Sequence, residues 1–371
     1  MTTKISDIIA CIEQMAPLAY QESWDNSGVQ VGDVSQGVKA VLLCVDITEA
    51  TLDEAIEKGA NLIISHHPLI FKGIKKLTGR NYIERVIIKA IQHNIVLYSA
   101  HTNMDKCMGG VNFRIAQKLG LKNIRVLAPE ENYLYKVVTY VPQVSAEAVR
   151  QAMWMAGAGT IGAYDCCSYL SEGNGTFRAS EGCKPFVGKI DKLHTEPELR
   201  IEMIVPKDKI GRVVAAIHAA HPYEEPAIDV LPLANEYNRM GLGCVGDLEN
   251  EITENAMLQY IRKKLGVQYI RHTKTTDKKV SRVALCGGSG AEFLSLAMRE
   301  KAGIYITADV KYHDFFNAEN QIVIADIGHF ESEQCIKEVF YEQISKNFIN
   351  FAILMAECDK SPVQYSYLTE D

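Results

Sequence analysis

Two adjacent histidines, His66 and His67, sit in Ser65-His66-His67-Pro68, directly after the apolar run 60–64. The run reads as a buried strand, and Pro68 prevents it from continuing normally. Strand side chains alternate in direction, so the two imidazoles are expected on opposite sides. Such a pair offers one ligand to each of two metals, or one to a metal and one to the core. More candidates follow other strands. His101 and Asp105 come after 95–99, Asp309 and His313 after 303–307, and His329 and Glu333 after 321–326. His329 and Glu333 are four apart across a strand-to-helix junction, which lets both reach one point at the helix start. Mixed His and carboxylate ligands suit Zn, Mn, Fe(II) or Co rather than Ca, and the lack of nearby Cys argues against a structural zinc site. A carboxylate can bridge two cations, and water between cations about 3.5–4 Å apart is acidified into a nucleophile. Asp105 and Glu333 would balance charge, and a spare His serves as acid or base. One such His is ordinarily structural. Eight candidates at equivalent strand ends are hard to explain as packing, and we read them as a metal site.

The elements that must hold these groups come in two textures. A helix at 4–16 leads to a turn-rich loop, 22–32. Strand 38–45, helix 49–58 with Thr48 as N-cap, strand 60–64, helix 81–93, strand 95–99 and helix 111–119 then follow. This βαβαβα order argues for a doubly wound α/β unit, with sites beyond the carboxyl ends of its strands. After about residue 127 the pattern changes. Strand 135–141, helix 145–157, a hairpin of 166–172 and 175–179 about Gly173-Asn174, strand 198–205, helix 207–220 and strand 227–233 suggest a ferredoxin-like α+β module. From 237 the first texture returns, with helices at 253–265, 292–301 and 332–345, strands at 283–286, 303–307, 321–326 and 351–355, and a polar tail, 357–368.

A weak internal repeat links the outer segments. Val41-Leu42-Leu43-Cys44 parallels Val283-Ala284-Leu285-Cys286, 60–66 parallels 302–309, and Asn94-Ile95-Val96-Leu97 parallels Gln321-Ile322-Val323-Ile324. The expected class is α/β: two similar α/β halves, 1–127 and 237–371, forming a metal-site cleft, with 128–236 inserted between them. Gly287-Gly288-Ser289-Gly290 reads as a tight turn rather than a phosphate nest, since no P-loop lysine follows. His221-Pro222-Tyr223-Glu224-Glu225-Pro226 reads as a turn and strand entry rather than a ligand set.

The totals narrow the function classes. With 371 residues and a formal charge of -7, the chain has room for two or three domains and no general attraction for nucleic acid or anionic membranes. Ten cysteines without a C-x-x-C pair read as reduced, mostly buried thiols. No secretory signal is evident, and no run approaches the roughly 18 apolar residues of a membrane span. A cytoplasmic location is expected.

The motif set resembles the Ngg1-interacting-factor-three-like proteins, often labelled GTP cyclohydrolase I type 2 homologues. The resemblance rests on Trp24-Asp25-Asn26-Ser27-Gly28, Ser65-His66-His67-Pro68, His101-Thr102-Asn103-Met104-Asp105, Gly109-Gly110-Val111-Asn112, Ala308-Asp309-Val310-Lys311-Tyr312-His313 and Gly328-His329-Phe330-Glu331-Ser332-Glu333. Met104 stands where Leu is expected, a volume-conserving change. The resemblance implies two divalent cations per subunit (Zn, Mn, Fe or Co) held by His66, His67, Asp105, His329 and Glu333, with Glu333 as the bridge. It implies a homohexamer, a trimer of dimers, and GTP ring opening with His101 or His313 handling protons. The insert is similar to PII/CutA-like modules, whose trimers would cap the ring. Two functions follow as expectations. One is a metal-dependent hydrolase acting on a nucleotide-like substrate. The other is a metal- or metabolite-binding regulatory ring protein without turnover, sensing through the insert.

Overall fold

The computed structural model describes residues 2–366, so the last two residues of the expected polar tail, 367 and 368, lie outside the described residues. Continuous apolar runs become its central strands. Helix α1 (Ile5–Met15) turns Ile5, Ile8, Ile9 and Ile12 inward at helical spacing. After β1 (Gly28–Val31), every residue of β2 (Ala40–Cys44) is buried. Thr48 caps α2 (Glu49–Glu57), its side chain accepting from the Thr51 N–H. β3 (Leu62–Ser65), α3 (Tyr82–Gln92) and β4 (Val96–Ser99) follow. β2, β3 and β4 pair in parallel, and β1 joins β4 antiparallel at the edge. Two short helices come next, α4 (Thr102–Lys106) and α5 (Val111–Lys118), of which the sequence reading anticipates only the second. β5 (Lys122–Glu130) follows.

A separate compact unit, Glu130–Tyr237, contains β6 (Leu134–Pro142), α6 (Ala146–Met155), β7 (Tyr169–Arg178), β8 (Leu193–Pro206), α7 (Ile210–Ala220) and β9 (Ile228–Pro232). Its antiparallel sheet has the order β7-β8-β6-β9, the arrangement of a ferredoxin-like βαββαβ unit. The hairpin expected about Gly173-Asn174 is absent. β7 runs straight through both residues, paired with β8 from Tyr169 opposite Glu202 to Arg178 opposite Leu193. A ten-residue ladder outweighs the local turn preference of Gly-Asn, and the chain reverses instead within 179–192.

The remaining elements return to the first unit: β10 (Tyr237–Thr253), α8 (Glu254–Leu265), β11 (Arg271–His272), β12 (Lys279–Ser289), α9 (Leu294–Arg299), β13 (Ile304–Ala308), β14 (Val323–Asp326), α10 (His329–Glu333), α11 (Ile336–Ser345) and β15 (Ala352–Met355). β12, β13 and β14 are parallel, in the sheet order β11-β14-β13-β12-β10-β5. The triplet β14-β13-β12 thus repeats the order of β4-β3-β2. The last strand does not stay with its own half. β15 joins the first sheet, Ala352 opposite Ala40. The length of β10 escapes sequence reading because its glycines lower strand propensity. Gly241, at φ 152°, is needed there: a Cβ would fall 2.0 Å from the Ala128 carbonyl oxygen.

Helices fill the space between the two sheets. Val41, Ile64 and Tyr98 share one buried cluster with Val283, Ile304 and Val323, bridged by Ile8, Ile115, Ile261 and Phe340. The outer face of the first sheet is covered by α2 and α3 and that of the second by α9. No described helix is long and apolar enough to cross a membrane. Phe340, on α11, is fully buried in the shared core. Phe340→Ala should cost about 3–5 kcal/mol, read as a lower urea midpoint for this unit. An unchanged midpoint would remove α11 from the core described.

Candidate metal centre

The strand ends of both sheets deliver polar side chains to one place. β3 stops at Ser65, so His66 and His67 lie beyond the pleat, with both backbone N–H groups bonded to the Val45 carbonyl. The alternation expected of a strand therefore does not apply to them. Their rings lie 5.0 Å apart, and both face Glu333. His329 and Glu333 occupy the single helix α10, one turn apart, rather than straddling a strand-to-helix junction. His101 and Asp105 stand in the same relation at α4, with His101 at its N-cap and Asp105 one turn on.

Each imidazole is held from behind through Nδ1. His66 Nδ1 donates to the Ala100 carbonyl at 2.9 Å. His67 Nδ1 donates to Asp46 at 2.8 Å, His101 Nδ1 to Asp25 at 2.8 Å, and His329 Nδ1 to Asp309 at 2.6 Å. Carbonyls and carboxylates only accept, so every Nδ1 carries the hydrogen and each neutral ring presents a bare Nε2 lone pair. The Nε2 atoms of His67 and His329 face each other at 3.3 Å. Glu333 Oε2 is 3.0 Å from the first and 3.1 Å from the second. On the other side, His66 Nε2 is 3.7 Å from Glu333 Oε1 and 3.5 Å from Asp105 Oδ1. The rings of His66 and His67 lie 5.3 and 5.4 Å from that of His101.

Three lone-pair acceptors within 3.3 Å of one another require positive charge between them. Ligand atoms around one cation at zinc-like bond lengths sit roughly 3.0–3.4 Å apart, which this triangle matches. His66 Nε2, Asp105 Oδ1 and Glu333 Oε2 are buried and complete no hydrogen bond. A buried polar atom left this way is costly unless an ion satisfies it. His66, His67 and His101 form one group able to hold a metal, and His67, His329 and Glu333 form another. The donor set therefore fits divalent cations, and Glu333 presents one oxygen to each side.

The supports are as local as the ligands. Asp25 accepts from the Thr102 N–H at 3.1 Å and Thr102 Oγ1 at 2.5 Å while holding His101. This explains the 22–27 loop, which turn chemistry alone reads as merely structural. Asp309 sits in the left-handed region at φ 56°, an unusual backbone for Asp, where it reaches His329. Asp309 thus stands behind a histidine instead of facing the cluster. Gly287 to Gly290 also acquires a purpose. The Gly288 N–H donates to Ser332, and a Cβ at Gly288 would meet Glu333 Oε1 at 2.2 Å. His313 is not brought to the cluster. It is exposed on the 3-10 turn Tyr312–Ala318, with Tyr312 and Phe316 as ring neighbours. Asp46 had no motif to mark it; only its place after β2 could have drawn notice.

Electrostatics follow from the crowding. Burial works against Glu333 ionising, but His66, His329 and His67 hold its carboxyl well below the usual range. Burial, aided by the Glu333 charge, pushes Asp105 up. Burial depresses His67, yet Asp46 and Glu333 overcome it and lift the ring to about 10. His329 is lifted to about 9 against the same penalty, by Glu333 and Asp309.

A family model described as Duf34/NIF3 (NGG1p interacting factor 3) matches residues 3–362. A Halalkalibacterium halodurans protein named GTP cyclohydrolase 1 type 2 homolog is 40% identical over 341 residues, covering 91% of each chain. A Bacillus subtilis protein of the same name is 37% identical over 96% of this chain and 97% of its own. Among solved structures, a Bacillus cereus protein related to NIF3 superposes with a TM-score of 0.84 at 37% identity, covering 99% of this chain and 100% of that one.

Two outcomes test the centre. With no cation bound, His67 and His329 keep protons at neutral pH, so metal uptake should release protons and tighten as pH rises from 7 toward 9. Both folded-state values lie above the ordinary 6.5, so the metal-free protein holds this stabilisation below pH 6.5 and loses it as pH climbs through about 9 to 10. Calorimetry in buffers of different ionisation enthalpy and pH-dependent melting of chelator-treated protein would check both; uptake without proton release contradicts the site. Separately, Gly288→Ala should weaken metal retention about 10–100-fold in protein that remains folded, measured by elemental analysis after dialysis.

Proposed function

The chain belongs to the Duf34/NIF3 family, and on that premise we propose that it is a metal-dependent hydrolase with two divalent cations per subunit, acting on a nucleotide-like substrate. The observation that carries the reading is the meeting of His67 Nε2, His329 Nε2 and Glu333 Oε2 around one point, with His66 and Asp105 on the other side of the same carboxylate. His66, His67, Asp105, His329 and Glu333 would hold the cations, with one oxygen of Glu333 turned toward each side. When bound, Zn, Mn, Fe or Co supplies Lewis acidity and an acidified water.

The chain's own residues do the rest. Asp46 and Asp309 keep the rings of His67 and His329 aimed inward, which removes reorganisation from the reaction. His101 receives or returns a proton at Nε2 because Asp25 occupies its Nδ1. It takes that task rather than His313, which faces aromatic neighbours. Trp24 and Phe71 are exposed beside His101, with ring centres at 6.0 and 5.6 Å, and offer edges and faces to a planar base. This supports a nucleotide-like substrate, and the relatives' name makes GTP the first to try. We further propose a cytoplasmic homohexamer, a trimer of dimers, with the Glu130–Tyr237 unit as a PII/CutA-like module.

Metal-loaded protein should release formate from GTP, and Glu333→Gln should lower the rate by at least about a hundredfold, equivalent to some 3 kcal/mol of transition-state stabilisation. Formate assays with each metal provide the check. No formate from fully loaded protein would reject GTP, and a panel of nucleotides and cyclic amides without turnover would reject the hydrolase. Light scattering of the same preparation tests the hexamer.

A further inference from the structure

A cavity lies wholly within the Glu130–Tyr237 unit and shares no lining residue with the candidate metal centre. One face of its sheet packs on α6 and α7. Over the other face, at the end where β7 and β8 pair, a cavity of about 660 Å³ opens beneath the 179–186 loop and the 223–227 segment. That volume is in the range of small-molecule sites.

Its walls combine aromatic rings with negative charge. Tyr140, Phe177, Phe186 and Tyr223 line it, with Tyr223 centred 6.0 Å from Phe177 and 6.4 Å from Phe186. Glu198 is 7% exposed and also faces it. Tyr223 donates its hydroxyl to Glu198 Oε1 at 2.7 Å. A carboxylate accepts several hydrogen bonds, so this one leaves capacity for a ligand. Position 175 is built around the same group, since a Cβ there would fall 2.1 Å from Glu198 Oε2. Glu172, Glu224 and Glu225 add to the lining, whereas the one lining arginine, Arg200, is engaged by Glu202 at 2.9 Å.

The segment His221 to Pro226, which reads as a plain turn in the sequence, sets this wall. His221 Nε2 donates to the Tyr140 carbonyl at 2.9 Å, and its Nδ1 accepts the Tyr223 N–H at 3.0 Å. The buried imidazole thereby ties two of the four rings together. Glu224 accepts the Lys184 N–H at 3.0 Å and fastens the loop above.

We propose that this cavity binds a small organic cation, an ammonium or guanidinium group carrying a flat or apolar body. The charge would pair with Glu198, and the body would lie among the rings, where aromatic faces favour a cation. An anion meets four carboxylates, and a bare metal ion finds too many apolar neighbours.

The test uses the full-length, metal-loaded protein titrated calorimetrically with phenethylammonium and with its neutral counterpart 2-phenylethanol. The cation should bind at least about tenfold more tightly. Glu198→Gln, which keeps the shape, should remove that preference, and Tyr223→Phe should reduce it by about threefold. Phe186→Ala changes a half-exposed ring and should weaken the cation severalfold without endangering the fold. Glu333→Gln should leave binding unchanged, which separates this site from the metal centre. The proposal is overturned if the cation does not bind, if both probes bind equally, or if neither Phe186→Ala nor a folded Glu198→Gln alters binding.

Discussion

The convergence of imidazole lone pairs on Glu333 is the constraint on which this architecture depends. With both rings neutral, His67 Nε2, His329 Nε2 and a carboxylate oxygen at about 3 Å would repel one another, which is why the rings take up protons when no cation is there. The fold holds them there because each Nδ1 is anchored to an acceptor that the ring cannot abandon without burying an unpaired group. A cation turns that repulsion into binding energy. The geometry that suits a cation is therefore set by packing and by the hydrogen bonds behind each ring.

The internal repeat gives the site its form. In each half, the third parallel strand leads into a one-turn helix carrying His and an acid four residues later: His101 with Asp105, then His329 with Glu333. In each half a carboxylate from elsewhere holds the helix's histidine, Asp25 in the first and Asp309 in the second. The halves differ after the second strand, where one supplies His66 and His67 and the other supplies Asp309. Asymmetry there puts candidate metal-binding groups on one side and a support on the other. The shared core through α1, α5, α8 and α11, with β15 returned to the first sheet, keeps the two contributions in register.

The Glu130–Tyr237 unit follows a different economy. Its helices bury one sheet face, and its open face carries Tyr140, Glu198 and Phe177 at alternate strand positions. His221, held neutral because burial lowers its affinity for a proton and its Nδ1 accepts the Tyr223 N–H, acts as a clamp. Histidines thus serve two purposes in one chain: lone pairs aimed at a cation, and a rigid donor and acceptor holding a tyrosine.

Much of this was legible from residue order. Apolar runs and caps such as Thr48 marked the parallel strands and helices, and the histidines and acids at strand ends marked a candidate metal site, because those patterns are local. The β7 hairpin, the length of β10 and the place of β15 were not, since long-range pairing overrides local turn and strand preference. The orientation of His66 and His67 also depended on where β3 stopped, which its neighbours decided. Sequence by itself determined the identities of the candidate ligands and their spacing within each half. Tertiary structure alone decided that Asp46 supports His67, that Asp309 supports His329, that Gly288 makes room for Glu333, and that His313 stands apart. Those roles rest on distances between residues remote in the chain, and only the packing of two sheets around shared helices sets such distances.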